Sequence, residues 1–267
     1  MTGRNSDGGE VEVRLEGEVA IVTGSTSGIG KAIARRFGGE GAAVVVTGRD
    51  DLRGNAVVHD ITADGGRAVF VAADLTDESA ADRLVDTALE HFGACTVLVN
   101  NAVAGGRGGA AADVHTEDWD HELRVNLTAP LWCARAAIPE MQRAGYGSII
   151  NISSRAGERA SSGLAAYTAS KGGMNALTRS IAVDYAPDNI RCNTISPGYV
   201  LNDVRDADLD SERRARYEAM HLSRLGTADD VAYCALYLAS RESEWLTGAN
   251  IPLDGGGSIA RGAVRDR

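Results

Sequence analysis

Two hydrophobic patterns alternate along the chain. Short runs of consecutive apolar, β-branched residues are separated by longer segments in which apolar residues recur every three or four positions. The first pattern is typical of strands buried on both faces, and the second of helices that cover a sheet. The predicted strands comprise residues 19–23, 43–47, 68–72, 96–100, 148–152, 191–195 and 250–253. The predicted helices comprise residues 28–37, 51–64, 78–92, 118–144, 165–185 and 228–240. This order predicts an α/β fold: a doubly wound, mostly parallel seven-stranded sheet with helices on both faces.

The domain organisation is simple, since no Pro- or Ser-rich linker interrupts the pattern. We expect one domain over residues 15–260, a flexible polar tail at 1–14 that is unlike a secretory signal, and a short tail at 261–267. The charged segment at about 199–222 breaks the rhythm of strands and helices. It fits either a lid over a binding site or a solvated helical hairpin without a role.

Composition excludes several classes of function. The net charge of −10 argues against a nucleic-acid partner, and no apolar run approaches the length of a membrane span. The four cysteines and five histidines are scattered without disulfide-like or metal-ligand spacing. We therefore expect a reduced, cytoplasmic protein without a metal.

A glycine-rich turn follows the first predicted strand and opens the first helix. Such a turn brings backbone N–H groups and a helix N-terminus close to an anion, as in the pyrophosphate sites of dinucleotide-binding folds. The alternative is an ordinary tight strand-to-helix connection. The turn comprises Thr23, Gly24, Ser25, Thr26, Ser27, Gly28, Ile29 and Gly30, and its placement favours the Rossmann-type interpretation.

The residue after the second predicted strand bears on the cofactor. A carboxylate near this position binds the ribose hydroxyls of NAD, whereas an arginine accommodates the additional phosphate of NADP. Here the strand ends in glycine and Arg49 follows, and its guanidinium together with the hydroxyls of Ser25 and Thr26 in the glycine turn would suit a phosphate. NADP(H) is favoured over NAD(H), although the aspartates that follow Arg49 could instead neutralise it at the surface.

Tyr167 and Lys171 are four residues apart on a predicted helix and therefore project from one face. An ammonium beside a phenol favours the phenolate, so we expect Lys171 to lower the pKa of Tyr167 and Tyr167 to act as a general acid/base. Such pairs also occur on solvated helix faces. In this chain, however, the only lysines are Lys31 and Lys171, which suggests a specific use of Lys171.

Taken together, these motifs resemble those of the short-chain dehydrogenase/reductase family over residues 16–258, and particularly its 3-oxoacyl-ACP reductase and glucose dehydrogenase-like members. Further matching pieces are Asp74-Leu75, Asn100-Asn101-Ala102, Asn126, Ser153-Ser154, Pro197-Gly198, Thr247-Gly248 and Asp254-Gly255-Gly256.

The resemblance implies four catalytic residues. Tyr167 would donate the proton to the carbonyl oxygen, and Ser154 would orient that oxygen, with Ser153 as the neighbouring alternative. Lys171 would hold the nicotinamide ribose and lower the pKa of Tyr167. Asn126 would anchor a water that links Lys171 to solvent; otherwise it is an ordinary capping or helix-kink amide.

The resemblance also implies further cofactor contacts. They comprise Asp74 to the adenine with Leu75 beside it, Asn101 and Ala102 at the adenosine ribose, Tyr167 and Lys171, and Pro197, Gly198 and Val200 near the nicotinamide amide. Two positions depart from the family pattern: Val103 stands where a glycine is usual, and Asn202 where a threonine is often found.

The leading hypothesis is therefore an NADP(H)-preferring ketone/secondary alcohol oxidoreductase with a small-molecule substrate. An NAD-linked polyol or sugar dehydrogenase and a catalytically silent dinucleotide-binding regulator are the alternatives. A polar or anionic substrate would be favoured if Arg107, Arg155, Glu158 and Arg159 faced the cleft; they could equally be solvated loop charges. The family implies a homo-oligomer, a tetramer or a dimer, that packs through residues 118–144 and 165–185.

Overall fold

The computed structural model of the chain describes residues 13–202 and 205–259. Seven strands form one parallel sheet in the order β3-β2-β1-β4-β5-β6-β7. They are β1 (Val19–Val22), β2 (Ala43–Gly48), β3 (Arg67–Ala72), β4 (Val97–Asn100), β5 (Gly147–Ile152), β6 (Ile190–Pro197) and β7 (Asn250–Leu253). The predicted fold class is confirmed. The strand order reverses between β1 and β4, and such a switch point opens a crevice at the carboxyl ends of the strands.

The described helices are α1 (Gly28–Gly39), α2 (Asp51–Ala63), α3 (Ser79–Phe92), α4 (Thr116–Leu123), α5 (Ala129–Ala144), α6 (Ala165–Tyr185), α7 (Ser211–Glu218) and α8 (Ala228–Ala239). The prediction of one continuous helix over 118–144 is wrong. A π-helical turn, Arg124–Thr128, separates α4 from α5. Such turns add a residue to the helical repeat and are frequent at functional sites.

The core has two parts, one on each face of the sheet. Neighbouring strand residues point to opposite faces, so Ile21 and Val22 of β1 belong to different clusters. Phe37 of α1 fills the cluster that contains Val22, and Met141 of α5 fills the other. All four side chains are almost fully buried, and each contributes about 1.5–3 kcal/mol to folding.

Several sequence predictions fall on residues outside this description. Residues 1–12 of the predicted N-terminal tail, the whole predicted C-terminal tail and Asp203 in the charged segment lie outside it. Among the described helices, none has both the length and the apolar character that crossing a membrane requires.

Candidate active site

A cavity of about 650 Å³ lies at the carboxyl ends of the strands. Most of the residues predicted to bind cofactor or substrate line it. They are Gly24, Thr26, Ser27, Gly28, Ile29, Arg49, Asp74, Leu75, Asn101, Ala102, Ser154, Tyr167, Lys171, Pro197, Gly198 and Val200. The fold thus brings together residues from seven separate stretches of the chain.

The glycine turn packs tightly against the end of β4. Gly24 adopts φ +63°, and a Cβ there would lie 2.8 Å from the Cα of Ala102, so the position requires glycine. Helix α1 then begins at Gly28. Its N-cap residue Ser27 forms no side-chain capping bond, and the first turn contains no acidic residue. Because the first N–H groups of a helix lack intrahelical partners, this end of α1 offers the cavity uncapped donors for an anion.

Thr23 and Gly30 do not line the cavity but shape it. The Thr23 hydroxyl accepts hydrogen bonds from the backbone N–H groups of Asn101 (2.9 Å) and Ala102 (3.0 Å). A Cβ on Gly30 would lie 2.4 Å from the amide nitrogen of the Asn101 side chain. Both residues therefore fix the approach of β4 to the glycine turn.

The expectation that the Ser25 hydroxyl helps to bind a phosphate is not supported by its position. Ser25 is fully buried; its hydroxyl donates to the Val22 carbonyl at 2.6 Å and accepts from the Thr47 N–H at 3.0 Å. It therefore ties β1 to β2. Thr26 is the hydroxyl residue of the pair that lines the cavity.

Asn126 is also absent from the cavity wall, because its side chain is directed to the protein interior. It lies in the π-helical turn, accepts from the Ala104 N–H at 2.8 Å and donates to the Ala104 carbonyl at 3.0 Å. Its amide also donates to the Ser170 hydroxyl at 3.3 Å. Both amide hydrogens thus have protein acceptors. These bonds tie the π-helical turn to the loop after β4, and the water-anchoring role stays a prediction.

Of the two serines after β5, Ser154 is the one that contacts Tyr167. The Ser154 hydroxyl accepts from the Ala156 N–H at 3.1 Å, and its polar interaction with Tyr167 lowers the pKa of that phenol. Ser153 instead donates to the Lys171 carbonyl at 3.2 Å and is buried. The sequence alone could not decide which of these adjacent serines acts with Tyr167, and the geometry favours Ser154.

Lys171 is buried beside Tyr167, with its Nζ atom 5.8 Å from the centre of the phenol ring and donating to the Ile152 carbonyl at 2.8 Å. Burial lowers the pKa of Lys171 to about 8. The expectation that Lys171 lowers the pKa of Tyr167 is not met. Burial raises the pKa of Tyr167, and the charge of Glu122 adds to the rise; the Ser154 hydrogen bond and the charge of Arg205 oppose it.

Arg49 lines the cavity, is exposed, and forms no ion pair within residues 13–202 and 205–259. The neighbouring Asp50 is occupied elsewhere: it accepts from the Arg53 N–H at 3.0 Å as the N-cap of α2 and pairs with the Arg53 guanidinium at 3.0 Å. The neutralisation of Arg49 considered above therefore does not involve Asp50.

Asp74 lies where an adenine contact was predicted. One of its carboxylate oxygens accepts from both the N–H and the hydroxyl of Thr76 at 2.9 Å, and these bonds lower the pKa of Asp74. The charge of Arg49 lowers this pKa further.

The two departures from the family pattern are accommodated. Val103 lines the cavity and is 58% exposed, and its φ is not positive, so the absence of glycine causes no strain there. The Asn202 side chain lies over the start of α1, with its nitrogen 2.7 Å from the place of a Cβ on Gly28.

Sequence reasoning missed part of the cavity wall. The missed residues are Thr47, Gly48, Ala73, Thr76, Ala104, Gly105, His121, Val125, Ile152, Leu201 and Arg205. Several follow directly from their place at strand ends beside predicted residues. His121, Val125 and Arg205 carry no such signal, because they come from the π-interrupted helix and the charged segment.

The four charged residues considered as substrate ligands do not line the cavity. Arg107 pairs with Asp118 at 3.0 Å, and Glu158 accepts from the Asn250 amide. The argument for an anionic substrate from these residues is therefore not supported.

Comparison with known proteins agrees with this geometry. The sequence profile of the family described as enoyl-(acyl carrier protein) reductase matches residues 24–258. The chain is 41% identical to an NADP-dependent (R)-specific alcohol dehydrogenase of Lentilactobacillus kefiri, over 91% of this chain and 97% of that protein. It is 38% identical to glucose 1-dehydrogenase 2 of Bacillus subtilis, over 91% and 95%.

A crystal structure described as that of a candidate gluconate dehydrogenase from Agrobacterium tumefaciens superposes with a TM-score of 0.89 at 33% identity. The match covers 94% of this chain and 100% of that chain. Fold, glycine turn, Ser-Tyr-Lys site and relatives agree: the chain belongs to the short-chain dehydrogenase/reductase family and is an NAD(P)-dependent oxidoreductase acting on CH–OH groups.

Proposed function

We propose that the protein is an NADP(H)-preferring oxidoreductase that interconverts a ketone and a secondary alcohol, with Tyr167 as general acid/base. One observation carries the proposal. Ser154 and Tyr167 line one cavity together with the buried Lys171 and the uncapped N-terminus of α1, and Ser154 lowers the pKa of the Tyr167 phenol. A proton donor and an anion site for a dinucleotide thus share one cleft.

The residues present fit a dinucleotide. The uncapped start of α1 suits a pyrophosphate, Asp74 suits an amino group of the adenine, and the buried Lys171 would hold the nicotinamide ribose. When bound, the cofactor supplies or accepts the hydride, so the protein contributes position and electrostatics.

The protonation state of Tyr167 favours its role as a donor. Because burial raises the pKa of Tyr167, the phenol carries its proton at neutral pH and can give it to a carbonyl oxygen. The Ser154 hydroxyl would donate to the same oxygen as negative charge develops there. In the oxidative direction Tyr167 must lose its proton first, so oxidation should increase with pH more steeply than reduction.

The preference for NADP(H) rests on Arg49. Its guanidinium lines the cavity without an ion-pair partner among the described residues, and Asp50 is held by Arg53. An exposed guanidinium at this position suits a phosphate better than a diol. The NADP dependence stated for the Lentilactobacillus relative supports the same choice.

We also propose a neutral carbonyl substrate. Among the charged residues of the cavity wall, Arg205 is bound by Asp206 through two hydrogen bonds of 2.8 and 2.7 Å, and Lys171 lies beneath Tyr167. Val103, Val125 and Leu201 supply apolar surface in the same wall.

The experiment measures NADPH and NADH consumption by the purified protein over a panel of ketones. Tyr167→Phe is the test variant and Tyr146→Phe the matched control, because Tyr146 binds Glu18 outside the cavity. We expect turnover with NADPH in the wild type and in the control, and retained cofactor binding without turnover in Tyr167→Phe. Equal activity of the two variants would exclude Tyr167 as the proton donor.

We further propose a homo-oligomer in a reducing, cytoplasmic setting. Leu131 on α5 is 44% exposed and Val183 on α6 is 76% exposed, which gives both helices an apolar surface for a partner copy. The four cysteines are free thiols, as expected of a reducing compartment. Light scattering of the eluted protein tests the oligomer, and Val183→Glu should reduce its mass.

A further inference from the structure

The turn after β6 borders the cavity and is fixed mainly by its backbone. Gly198 donates to the Leu253 carbonyl at 3.0 Å, and the Tyr199 carbonyl accepts from the Gly226 N–H at 2.9 Å. The Tyr199 N–H, however, donates to a side chain: the Nε2 atom of His221, at 3.1 Å. One backbone bond of this turn therefore depends on an imidazole.

His221 is almost fully buried, and both of its ring nitrogens are used. Its Nδ1 atom lies 2.8 Å from the Tyr217 carbonyl, which can only accept, so Nδ1 carries the hydrogen. Its Nε2 atom faces the Tyr199 N–H, which can only donate, so Nε2 must be unprotonated. Only one state of the ring, neutral with hydrogen on Nδ1, satisfies both contacts.

The packing leaves this turn little freedom to adjust. A Cβ on Gly198 would lie 2.7 Å from His221 Nε2, so the backbone passes close to this edge of the ring. The Tyr199 ring stacks on Tyr217 with their centres 3.9 Å apart. His221 thus joins the end of α7 to the turn that lines the cavity.

We infer that His221 is a positioning residue that holds the turn at Gly198 and Tyr199 while its imidazole is neutral and releases it when the imidazole is protonated. Protonation places an N–H on Nε2 opposite the Tyr199 N–H. The bond is lost, and two donors face each other in a buried place. The inference rests on the proposed function in one respect: the turn is expected to contact the nicotinamide end of a bound cofactor.

The charged groups around His221 are already engaged with other partners. A second cavity of about 420 Å³ adjoins the ring and is lined by Arg224, Asp230 and Asp254. Arg224 and Asp230 form a two-bond ion pair at 2.7 Å, and Asp254 accepts from the backbone of Gly256 (3.0 Å) and Ser258 (2.6 Å).

Two further charged groups lie on the other sides of the turn. On the cavity side, Arg205 is bound to Asp206. Arg155 contacts Met220, the residue that precedes His221, through a guanidinium nitrogen 3.9 Å from the Met220 sulfur.

The test is single-amide hydrogen exchange of the full chain without added cofactor, at about pH 8 and about pH 5, with rates corrected for the intrinsic effect of pH. We expect the protection of the Tyr199 amide to fall about tenfold at the lower pH, as for the loss of one hydrogen bond. The Leu201 amide is the internal control, because it donates to the Gly226 carbonyl at 2.9 Å and should stay protected. In His221→Gln, which cannot titrate, protection of Tyr199 should not depend on pH, whatever its level.

Equal protection of Tyr199 at both pH values, or a parallel fall in His221→Gln, would overturn the inference. A second measurement separates it from the proposed function. The KM for NADPH should rise about tenfold more at the lower pH in the wild type than in His221→Gln, in which only the cofactor's own phosphate and groups common to both proteins titrate. If the exchange result holds but no cofactor binds at any pH, the positioning role stands and the proposed function fails.

Discussion

Replacement of Lys171 by methionine should stabilise the fold while it removes activity. Lys171 is buried, and burial lowers its pKa from 10.5 to about 8. Such a difference corresponds to about 3 kcal/mol by which the charged lysine destabilises the folded state at neutral pH. Methionine avoids this cost but leaves the Ile152 carbonyl without its partner, which costs about 1–2 kcal/mol. The net expectation at pH 7 is a gain of about 1–2 kcal/mol in the free energy of unfolding.

The dependence on pH is the sharper signature of Lys171. Between about pH 8 and 10.5 the unfolded chain holds a proton on Lys171 that the folded chain has lost. The stability of the wild type therefore rises with pH in this window relative to the variant, by about 3 kcal/mol in total. Below the window both states are protonated and the difference is constant. Consequently the variant should be the more stable protein at pH 7 and the less stable one near pH 10.5.

The assay is urea unfolding of the wild type and Lys171→Met at several pH values from 7 to about 10.5. The tyrosines and cysteines that titrate in this range are common to both proteins, so their contributions cancel in the difference between the two free energies of unfolding. Lys31→Met is the matched control, since Lys31 is the only other lysine of the chain and its side chain is 39% exposed. Its stability curve should run parallel to that of the wild type. Parallel curves for Lys171→Met as well would refute the argument, because Lys171 would then carry no burial penalty.

Three further predictions concern the cofactor, the packing and the thiols. Arg49→Ala should raise the KM for NADPH about tenfold to a hundredfold and change the KM for NADH little, as steady-state kinetics with both cofactors would show. Gly54→Ala should destabilise the fold by about 1–3 kcal/mol, because its Cβ would lie 2.1 Å from the Phe70 ring. The control Gly39→Ala, whose Cβ would have no neighbour within 4 Å, should stabilise the fold by about 0.5–1 kcal/mol. Thermal unfolding compares the two variants. Burial raises the pKa of three cysteine thiols to about 12 and of the fourth to about 11, so a disulfide reagent should react with none of them until the protein unfolds.

The fold was predictable because its signals are local. Strands buried on both faces need uninterrupted apolar runs, and Val44, Val45 and Val46 of β2 are such a run. The π-helical turn at Arg124–Thr128 could not be predicted in this way, since the apolar pattern of α4 and α5 continues across it. Asn126 bonds there to the backbone of Ala104, a residue 22 positions away, and no local pattern encodes that contact.

In the candidate site, too, the features encoded within one stretch of sequence were predictable and those that depend on distant contacts were not. Tyr167 and Lys171 lie on one helix, so their spacing alone places them on one side of it, and the glycine turn is likewise a single stretch. What the spacing did not reveal is how deeply Lys171 is buried. Its amine bonds to Ile152, burial lowers the pKa of Lys171, and burial raises the pKa of Tyr167 where a fall was expected.

The substrate side of the cavity is built differently, and this explains why motifs identify the chemistry but not the substrate. Val103 lies in the loop after β4, Val125 in the π-helical turn and Leu201 in the loop after β6, and they line one cavity only because the fold brings these segments together at one edge of the sheet. Charges near the motif in sequence, such as Glu158, turn instead to other partners. The residues that carry the chemistry therefore lie within single elements, whereas the residues that would contact the substrate come from separate segments. Substitutions at Val103, Val125 or Leu201 should consequently change the preference among ketones while the role of Tyr167 is retained.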